Sequence, residues 1–254
     1  MKRQHPVNAD AREDCIYGSH VVEAWVRHRP SRVRILLRDQ KVGTTTSGLV
    51  SAASRVGIRI EPATRDQLDS ITRGARHQGV VARCAPFPYA DLADLAVSAS
   101  KLLLLLDQIN DPQNLGAIVR SAAAFGAAGV VIPRDGAAAV TAAVEYAAAG
   151  CTAIVPICRV PNLARLLEEL KLPELGYWSV ALDAGAQSGL QQLALPDRVA
   201  LVIGGETGVR RLVRERCDFA ASIPMKAGVE SLNASVAAAI ALYEVNRQWD
   251  SLTR

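Results

Sequence analysis

Val199-Ala200-Leu201-Val202-Ile203-Gly204-Gly205-Glu206-Thr207-Gly208 is the stretch that decides the fold. Its first five residues are apolar without interruption and rich in β-branched side chains. That pattern suits a strand buried on both faces of a parallel sheet. A glycine pair directly behind such a strand lets backbone approach a ligand where a Cβ would collide. In open α/β sheets ligands collect beyond the carboxyl ends of the strands, so the stretch reads as a binding edge. It is a poor dinucleotide site: the cluster follows a late strand, lacks the Gly-x-Gly-x-x-Gly spacing and carries Glu206 where pyrophosphate would sit. No P-loop is present either.

Working outward, Leu102–Leu106 is a second buried strand, ending at Asp107. Asp111-Pro112-Gln113-Asn114 is turn chemistry, and Leu115–Phe125 has helical spacing with Asn114 as its expected cap. Further strands are expected over Val130–Ile132, Ala153–Ile157 and Trp178–Leu182, with helices over Ala138–Ala148 and Leu163–Leu170. A polar helical run reaches Cys217, a short strand is stopped by Pro224, and a long helix over Leu232–Trp249 closes the chain. Alternation of this length specifies an α/β fold with a parallel sheet covered by helices.

Upstream lies a smaller α/β unit. Helices are expected over Val21–Arg27, capped by Ser19, and over Leu49–Val56 and Arg65–Thr72, with strands over Arg32–Leu37, Ile58–Ile60 and Val80–Ala82. Residues 1–14 read as a loose tail, 15–84 as the first domain, 85–98 as a linker broken by Pro86 and Pro88, and 99–254 as the second domain.

Residues 1–90 hold 15 Lys+Arg against 8 Asp+Glu, a balance of +7, whereas 91–254 hold 14 against 17, a balance of −3; together they give the net +4. A basic excess confined to one segment fits a nucleic-acid-binding module joined to a neutral one. Aromatics are only 4% of the chain, so base stacking is not expected to be the main mode of recognition. Five scattered cysteines with no Cys-x-x-Cys pair argue for reduced thiols, a cytoplasmic location and no zinc site. The four histidines have no carboxylate or cysteine pattern pointing to a triad or a metal. No apolar run approaches membrane-span length and no secretory signal opens the chain.

Three segments could carry chemistry. In Asn114-Leu115-Gly116-Ala117-Ile118-Val119-Arg120, Gly116 and Arg120 share a helix face, and the glycine leaves a gap that a phosphate, a ribose or a facing backbone could fill. Gly204–Gly208 is the second. The third joins Ser222-Ile223-Pro224-Met225 to Ser231-Leu232-Asn233-Ala234-Ser235, where Ile223, Met225 and Leu232 could wall an adenine and Ser231 or Asn233 could cap the last helix. Each segment alone has an ordinary structural explanation.

Taken in order and spacing, Asn114-x-Gly116-x-x-x-Arg120, Gly204-x-Glu206, Ile223-Pro224-Met225 and Ser231-Leu232-Asn233-x-Ser235 resemble the three motifs of the SpoU (TrmH-type) RNA ribose 2′-O-methyltransferases. The likeness spans Leu102–Trp249. Tyr17-Gly18-x-His20-x-Val22-Glu23 and His77-Gln78-Gly79-Val80-Val81-Ala82 resemble the L30e-like substrate-binding domain of members that modify large-subunit ribosomal RNA. The second motif has one residue fewer here, Glu206-Thr207-Gly208, where the family usually has Glu-Gly-x-Gly.

The resemblance implies a deep trefoil knot, S-adenosylmethionine as cofactor and a homodimer through the knotted domain. The surface expected for that dimer is Val236, Ala239, Ile240 and Tyr243 on the last helix. It implies cofactor contacts from Gly204, Gly205, Ile223, Met225, Leu232 and Asn233, and catalytic roles for Arg120, Asn114, Glu206, Ser231 and Asn233. The implied reaction is methyl transfer to the ribose 2′-hydroxyl of a guanosine in 23S ribosomal RNA. A tRNA substrate, an adenosine target or a non-catalytic RNA-binding protein of the same fold are the competing readings. A guanidinium stays protonated in water, so Arg120 is better suited to holding a phosphate and stabilising developing alkoxide charge than to acting as base.

Overall fold

The computed structural model describes residues 14–41, 46–96 and 100–252. The chain divides into two compact units, Met1–Pro88 and Tyr89–Arg254. Of the expected tail, only Asp14 falls within the described residues.

In the first unit, β1 (Asp14–Tyr17), α1 (Ser19–His28), β2 (Val33–Asp39), α2 (Ser47–Arg55), β3 (Arg59–Ala63), α3 (Arg65–Thr72) and β4 (Val80–Cys84) build a four-stranded sheet in the order β1-β4-β2-β3. Strand β4 runs antiparallel to β1 and β2, and β3 runs parallel to β2 at the sheet edge. Pro62, which has no N–H to give a ladder, is accommodated on that edge. Ser19 does not cap α1. The helix begins at Ser19, Gly18 takes the cap position at φ 91°, and Gln78 Oε1 accepts from the Ser19 N–H at 3.1 Å and its hydroxyl at 2.9 Å. The Tyr17–His20 and His77–Gly79 segments therefore meet. His77 is buried in that turn: Nδ1 accepts from the Gly79 N–H at 3.0 Å, so Nε2 carries the proton that reaches Asp69 Oδ1 at 3.0 Å.

The second unit contains α4 (Leu92–Ala96), β5 (Leu102–Asp107), α5 (Pro112–Ala124), β6 (Gly129–Pro133), α6 (Ala142–Ala147) and β7 (Ile157–Val160), followed by α7 (Leu163–Leu170), β8 (Trp178–Leu182), β9 (Val199–Gly204), α8 (Arg211–Glu215), β10 (Phe219–Ala221) and α9 (Ala234–Leu252). Its six strands are all parallel, in the order β10-β8-β9-β5-β6-β7. Leu102–Leu106 and Val199–Ile203 are buried throughout, as their unbroken apolar runs require. From β5 the chain winds one way through β6 and β7. It then crosses to β8 and inserts β9 between β8 and β5. The strand order thus reverses at β5/β9, where a crevice opens at the carboxyl edge.

Several boundaries differ from the sequence reading. The expected strand Ala153–Ile157 is shifted: Cys151–Ala153 is a 3-10 turn entered through Gly150 at φ 84°, and β7 starts at Ile157. Helix α6 is shorter than expected because Ala138 and Val140 give their N–H groups to Ile109 O and Tyr89 Oη, which holds that part of the alanine-rich run in a loop. The short strand β10 ends at Ala221, before Pro224 can stop it, and Ser222 bonds instead to Ser188. The stretch 85–98, expected as a linker, is packed over most of its described length. Phe87 is buried edge-on against Trp25 in the first unit, while Ala90 pairs with Cys158 and Leu95 is buried in the second. The boundary falls between Pro88 and Tyr89.

Candidate active site

A cleft of about 780 Å³ occupies the β5/β9 crevice. The carboxyl ends of β5 (Gln108–Asp111), β8 (Leu182–Ala184) and β9 (Ile203–Gly208) form one side. Asn114, Ile223, Met225, Ser231–Ala234 and Ala237 complete it. Of the residues singled out in the sequence, Asn114, Gly204, Gly205, Glu206, Ile223, Met225, Ser231, Leu232 and Asn233 all line this one cleft. Segments more than a hundred residues apart in the chain are brought together by the insertion of β9 beside β5.

Arg120 is not among the lining residues. Six residues beyond Asn114 on a helix correspond to about 9 Å of rise and one and two-thirds turns, which carries it away from the cleft. It is exposed, and its guanidinium lies near Cys151, whose thiol burial pushes up while Arg120 partly offsets the rise. The gap at Gly116 is filled by facing backbone: a Cβ there would lie 2.4 Å from Ala147 Cβ and 2.7 Å from Val144 O, so the glycine lets α5 and α6 touch.

Asn114 does not cap α5. Asp111 does, accepting from the Gln113 N–H at 3.0 Å, with Pro112 at the first helical position, where a missing N–H costs nothing. Asn233 does cap α9: its Oδ1 accepts from the Ser235 N–H at 2.9 Å and the Ser235 hydroxyl at 2.6 Å. With the oxygen so committed, Asn233 Nδ2 faces outward and donates to Asn114 Oδ1 at 2.9 Å. Among the described residues Asn114 Nδ2 donates to no group, and Asn114 lines the cleft.

The glycine pair is required by the loop's own fold. A Cβ on Gly204 would lie 2.1 Å from Gly208 C, and one on Gly205 would lie 2.3 Å from Gln108 O. The close approach shown is between the loop and its own chain. The loop turns back through a Gly208 N–H bond to Gly205 O at 3.0 Å, with Gly208 at φ 79°. Glu206 and Thr207 project from it, exposed at the rim.

One ion pair that the sequence did not single out holds this loop. Asp107, fully buried at the end of β5, accepts from Arg210 Nε at 2.8 Å, Nη2 at 2.7 Å and backbone N–H at 2.8 Å. Its own carbonyl accepts from the Gly205 N–H at 2.9 Å. Charge-assisted hydrogen bonds of this kind are the strong ones. An aspartate ending an otherwise all-leucine strand was a usable signal for its half of the pair; nothing local marked Arg210. At the end of β8, Asp183 is engaged by Arg214 and by the Gly185 N–H. Among the described residues no group of three or more His, Cys, Asp or Glu could hold a metal ion, and no helix is long and apolar enough to cross a membrane.

A parallel sheet with a glycine-turned cleft at its switch point, joined to a separate α/β unit carrying the basic excess, is the frame of an RNA-modifying transferase. The chain belongs to the SpoU rRNA methylase family, whose profile matches residues 101–243; a second profile, for RNA 2′-O ribose methyltransferase substrate binding, matches residues 15–90. It is 42% identical to the 23S rRNA (guanosine-2′-O-)-methyltransferase RlmB of Neisseria meningitidis, over 92% of this chain and 94% of that protein. It is 39% identical to the putative TrmH family tRNA/rRNA methyltransferase YacO of Bacillus subtilis, over 98% of each. Among solved structures, the SpoU methyltransferase AviRb of Streptomyces viridochromogenes in complex with AdoMet superposes with a TM-score of 0.81. That match is 28% identical and covers 94% of this chain and 91% of that one.

Proposed function

We propose that this protein transfers the methyl group of S-adenosylmethionine to the ribose 2′-hydroxyl of a guanosine in 23S ribosomal RNA, in the cytoplasm and as a homodimer whose catalytic domain is tied in a deep trefoil knot. The observation that carries the reading is the Asn114–Asn233 hydrogen bond at 2.9 Å, which joins the first and third segments inside the cleft. The knot is supported by the path of the last segments. Ser222 runs beside Ser188, and α9 is held to the 190–196 stretch through Gln248 to Leu190 O and Trp249 to Pro196 O.

The residues present fit the cofactor. The cleft is within the usual size range for small-molecule sites. Ile203, Ile223, Met225 and Leu232 offer apolar walls for an adenine, and the exposed Glu206 offers a carboxylate for a cationic group. When bound, S-adenosylmethionine supplies an electrophilic methyl on a sulfonium. The chain's own part is placement. Asn114 Nδ2 donates to the ribose, Ser231 sits beside it, and the capped start of α9 fixes Asn233 so that neither amide can swing. Holding reacting groups in line can supply about 7–11 kcal/mol of the barrier in favourable cases.

Arg120 enters the site across the dimer. Helix α9 exposes Val236, Ile240 and Tyr243 on one face, and Tyr243 packs edge-on against Phe125 at the end of α5, the helix that bears Arg120. A second copy docked there brings its Arg120 toward the first copy's ribose and phosphate. The test is transfer of labelled methyl to total RNA followed by nuclease mapping. Label in 23S rRNA at a single guanosine is expected; label on tRNA alone overturns the substrate. Mixing Arg120→Ala with Asn233→Ala protomers is expected to restore part of the activity that each homodimer lacks.

A further inference from the structure

A second cleft, of about 430 Å³, opens at the carboxyl ends of β6 and β7 and is lined by Tyr89, Ala90, Asp91, Arg134, Asp135 and Arg159. It lies on the same sheet edge as the first. The loop after β6 separates the two: Ala138 bonds to Ile109 in the wall of the first cleft, and Val140 bonds to Tyr89 in the wall of the second. Arg159 is held rigidly here. Its guanidinium stands 5.2 Å from the Tyr89 ring centroid, and Nη2 donates to Arg134 O. Its Nε is sealed from solvent without an acceptor. A buried orphan donor is a cost that a leucine at this position would avoid.

We infer that this cleft takes the base of a neighbouring guanosine in the RNA whose ribose occupies the first cleft, an inference that rests on the proposed RNA substrate. Two arginines and two aspartates line the cleft, and among the described residues no ion pair joins them. Their charges cancel, so the cleft has no net attraction for a phosphodiester. A guanine fits the mixture: O6 and N7 accept from a planar guanidinium edge, while N1–H and N2–H₂ donate to a carboxylate. Unpaired RNA bases stack on guanidinium planes as well as on aromatic rings, and Arg159, backed by Tyr89, offers such a plane. Adenine presents N6–H₂ where guanine presents O6 and leaves both carboxylates without an N1–H donor.

The test compares binding of uridine heptamers carrying one central guanine, adenine or inosine, by fluorescence anisotropy over a range of salt. The wild-type protein is expected to prefer guanine to adenine by about ten-fold, the lower part of what a bidentate base contact gives, with inosine between them. Arg134→Lys, which keeps the charge but loses the planar fork, is expected to abolish the preference and leave the salt slope unchanged. Asp135→Asn, on the exposed rim, is expected to remove the guanine–inosine difference without touching the fold. Equal wild-type binding of guanine and adenine overturns the inference. So does a uniform loss for all three probes in Arg134→Ala with the slope shallower by about 0.7, which marks a lost phosphate contact. Methyl transfer to ribosomal RNA by the same wild-type preparation keeps the two readings apart: activity without guanine preference removes the second cleft alone.

Discussion

Replacing Arg210 by Met is expected to destabilise the protein more than replacing Asp107 by Asn, although the two residues share the same bonds. The asymmetry comes from exposure: the Asp107 side chain is 0% exposed and that of Arg210 is 47% exposed. In Arg210→Met the carboxylate stays buried with only the backbone N–H of residue 210 and loses two charge-assisted bonds. Stranding one member of a buried pair costs about 3–5 kcal/mol. In Asp107→Asn the guanidinium, already half in water, rehydrates, and the amide oxygen still accepts one bond. The cost there is that of a charge-assisted hydrogen bond, about 1.5–3 kcal/mol. The double variant is expected to cost less than the sum, because removing both charges leaves nothing stranded. Urea unfolding reads all three: the midpoint falls in the order stated while the slope with denaturant stays constant. Calorimetry with S-adenosylmethionine should show weaker binding in each single variant, since the pair anchors the loop at Gly205. An equal or smaller loss for Arg210→Met would mean that Asp107 is hydrated and that the loop is held by its glycine contacts alone.

Two further outcomes follow from contacts away from the cleft. On helix propensity alone, Gly116→Ala would stabilise α5 by up to about 1 kcal/mol. The Ala147 methyl and the Val144 carbonyl in the path of the new Cβ reverse the sign, to a loss of about 1–3 kcal/mol, and a raised urea midpoint would refute the close α5–α6 contact. Burial of Asp218 by itself raises its carboxyl pKa, but the Ser179 N–H and hydroxyl, together with Lys171, outweigh this and bring it below 3.8. Its folded pKa is depressed, so its contribution is complete above the unfolded value and is lost as pH falls through the folded one. The stability gap between wild type and Asp218→Asn should therefore narrow as pH is lowered from about 6 to about 3, and a constant gap would refute the assignment.

The parallel sheet was legible in the sequence because a strand buried on both faces leaves only one readable pattern. Leu102–Leu106 and Val199–Ile203 announce themselves, and Leu163–Leu170 and Trp178–Leu182 end where the sequence placed them. Short elements that owe their form to a neighbour were not legible. Strand β1 is four residues, Asp14-Cys15-Ile16-Tyr17, with no apolar run of its own, and it exists because β4 pairs with it. The start of β7 was misplaced because Ala153–Ile157 is as apolar as a strand, while the turn at Gly150 that displaces it has no effect on periodicity. In the cleft, side-chain type and order were readable, and nine of the singled-out residues line it. What each packs against was not, because the letter of a glycine does not say which part of its own chain comes close. Gly204 meets the Gly208 backbone and Gly205 that of Gln108.

The exchange of roles between Asp111 and Asn114 shows why this matters for the chemistry. A capping asparagine spends its oxygen on the helix N–H groups, and Asn114 as a cap would have presented no oriented acceptor to Asn233. With Asp111 in that position, one turn of α5 carries Asn114 into the cleft as a free amide. The amide is then oriented by α9, through a chain of dependence that runs in one direction. The α9 N–H groups take the Asn233 oxygen, the Asn233 nitrogen takes the Asn114 oxygen, and the Asn114 nitrogen is left facing the cleft. Three successive choices are each forced by the one before, so the Asn114 amide is oriented by a helix cap. In the proposed reaction a donor fixed in this way would need no reorganisation as charge develops on the 2′-oxygen, and preorganised dipoles of that kind are usually the largest single contribution to catalysis.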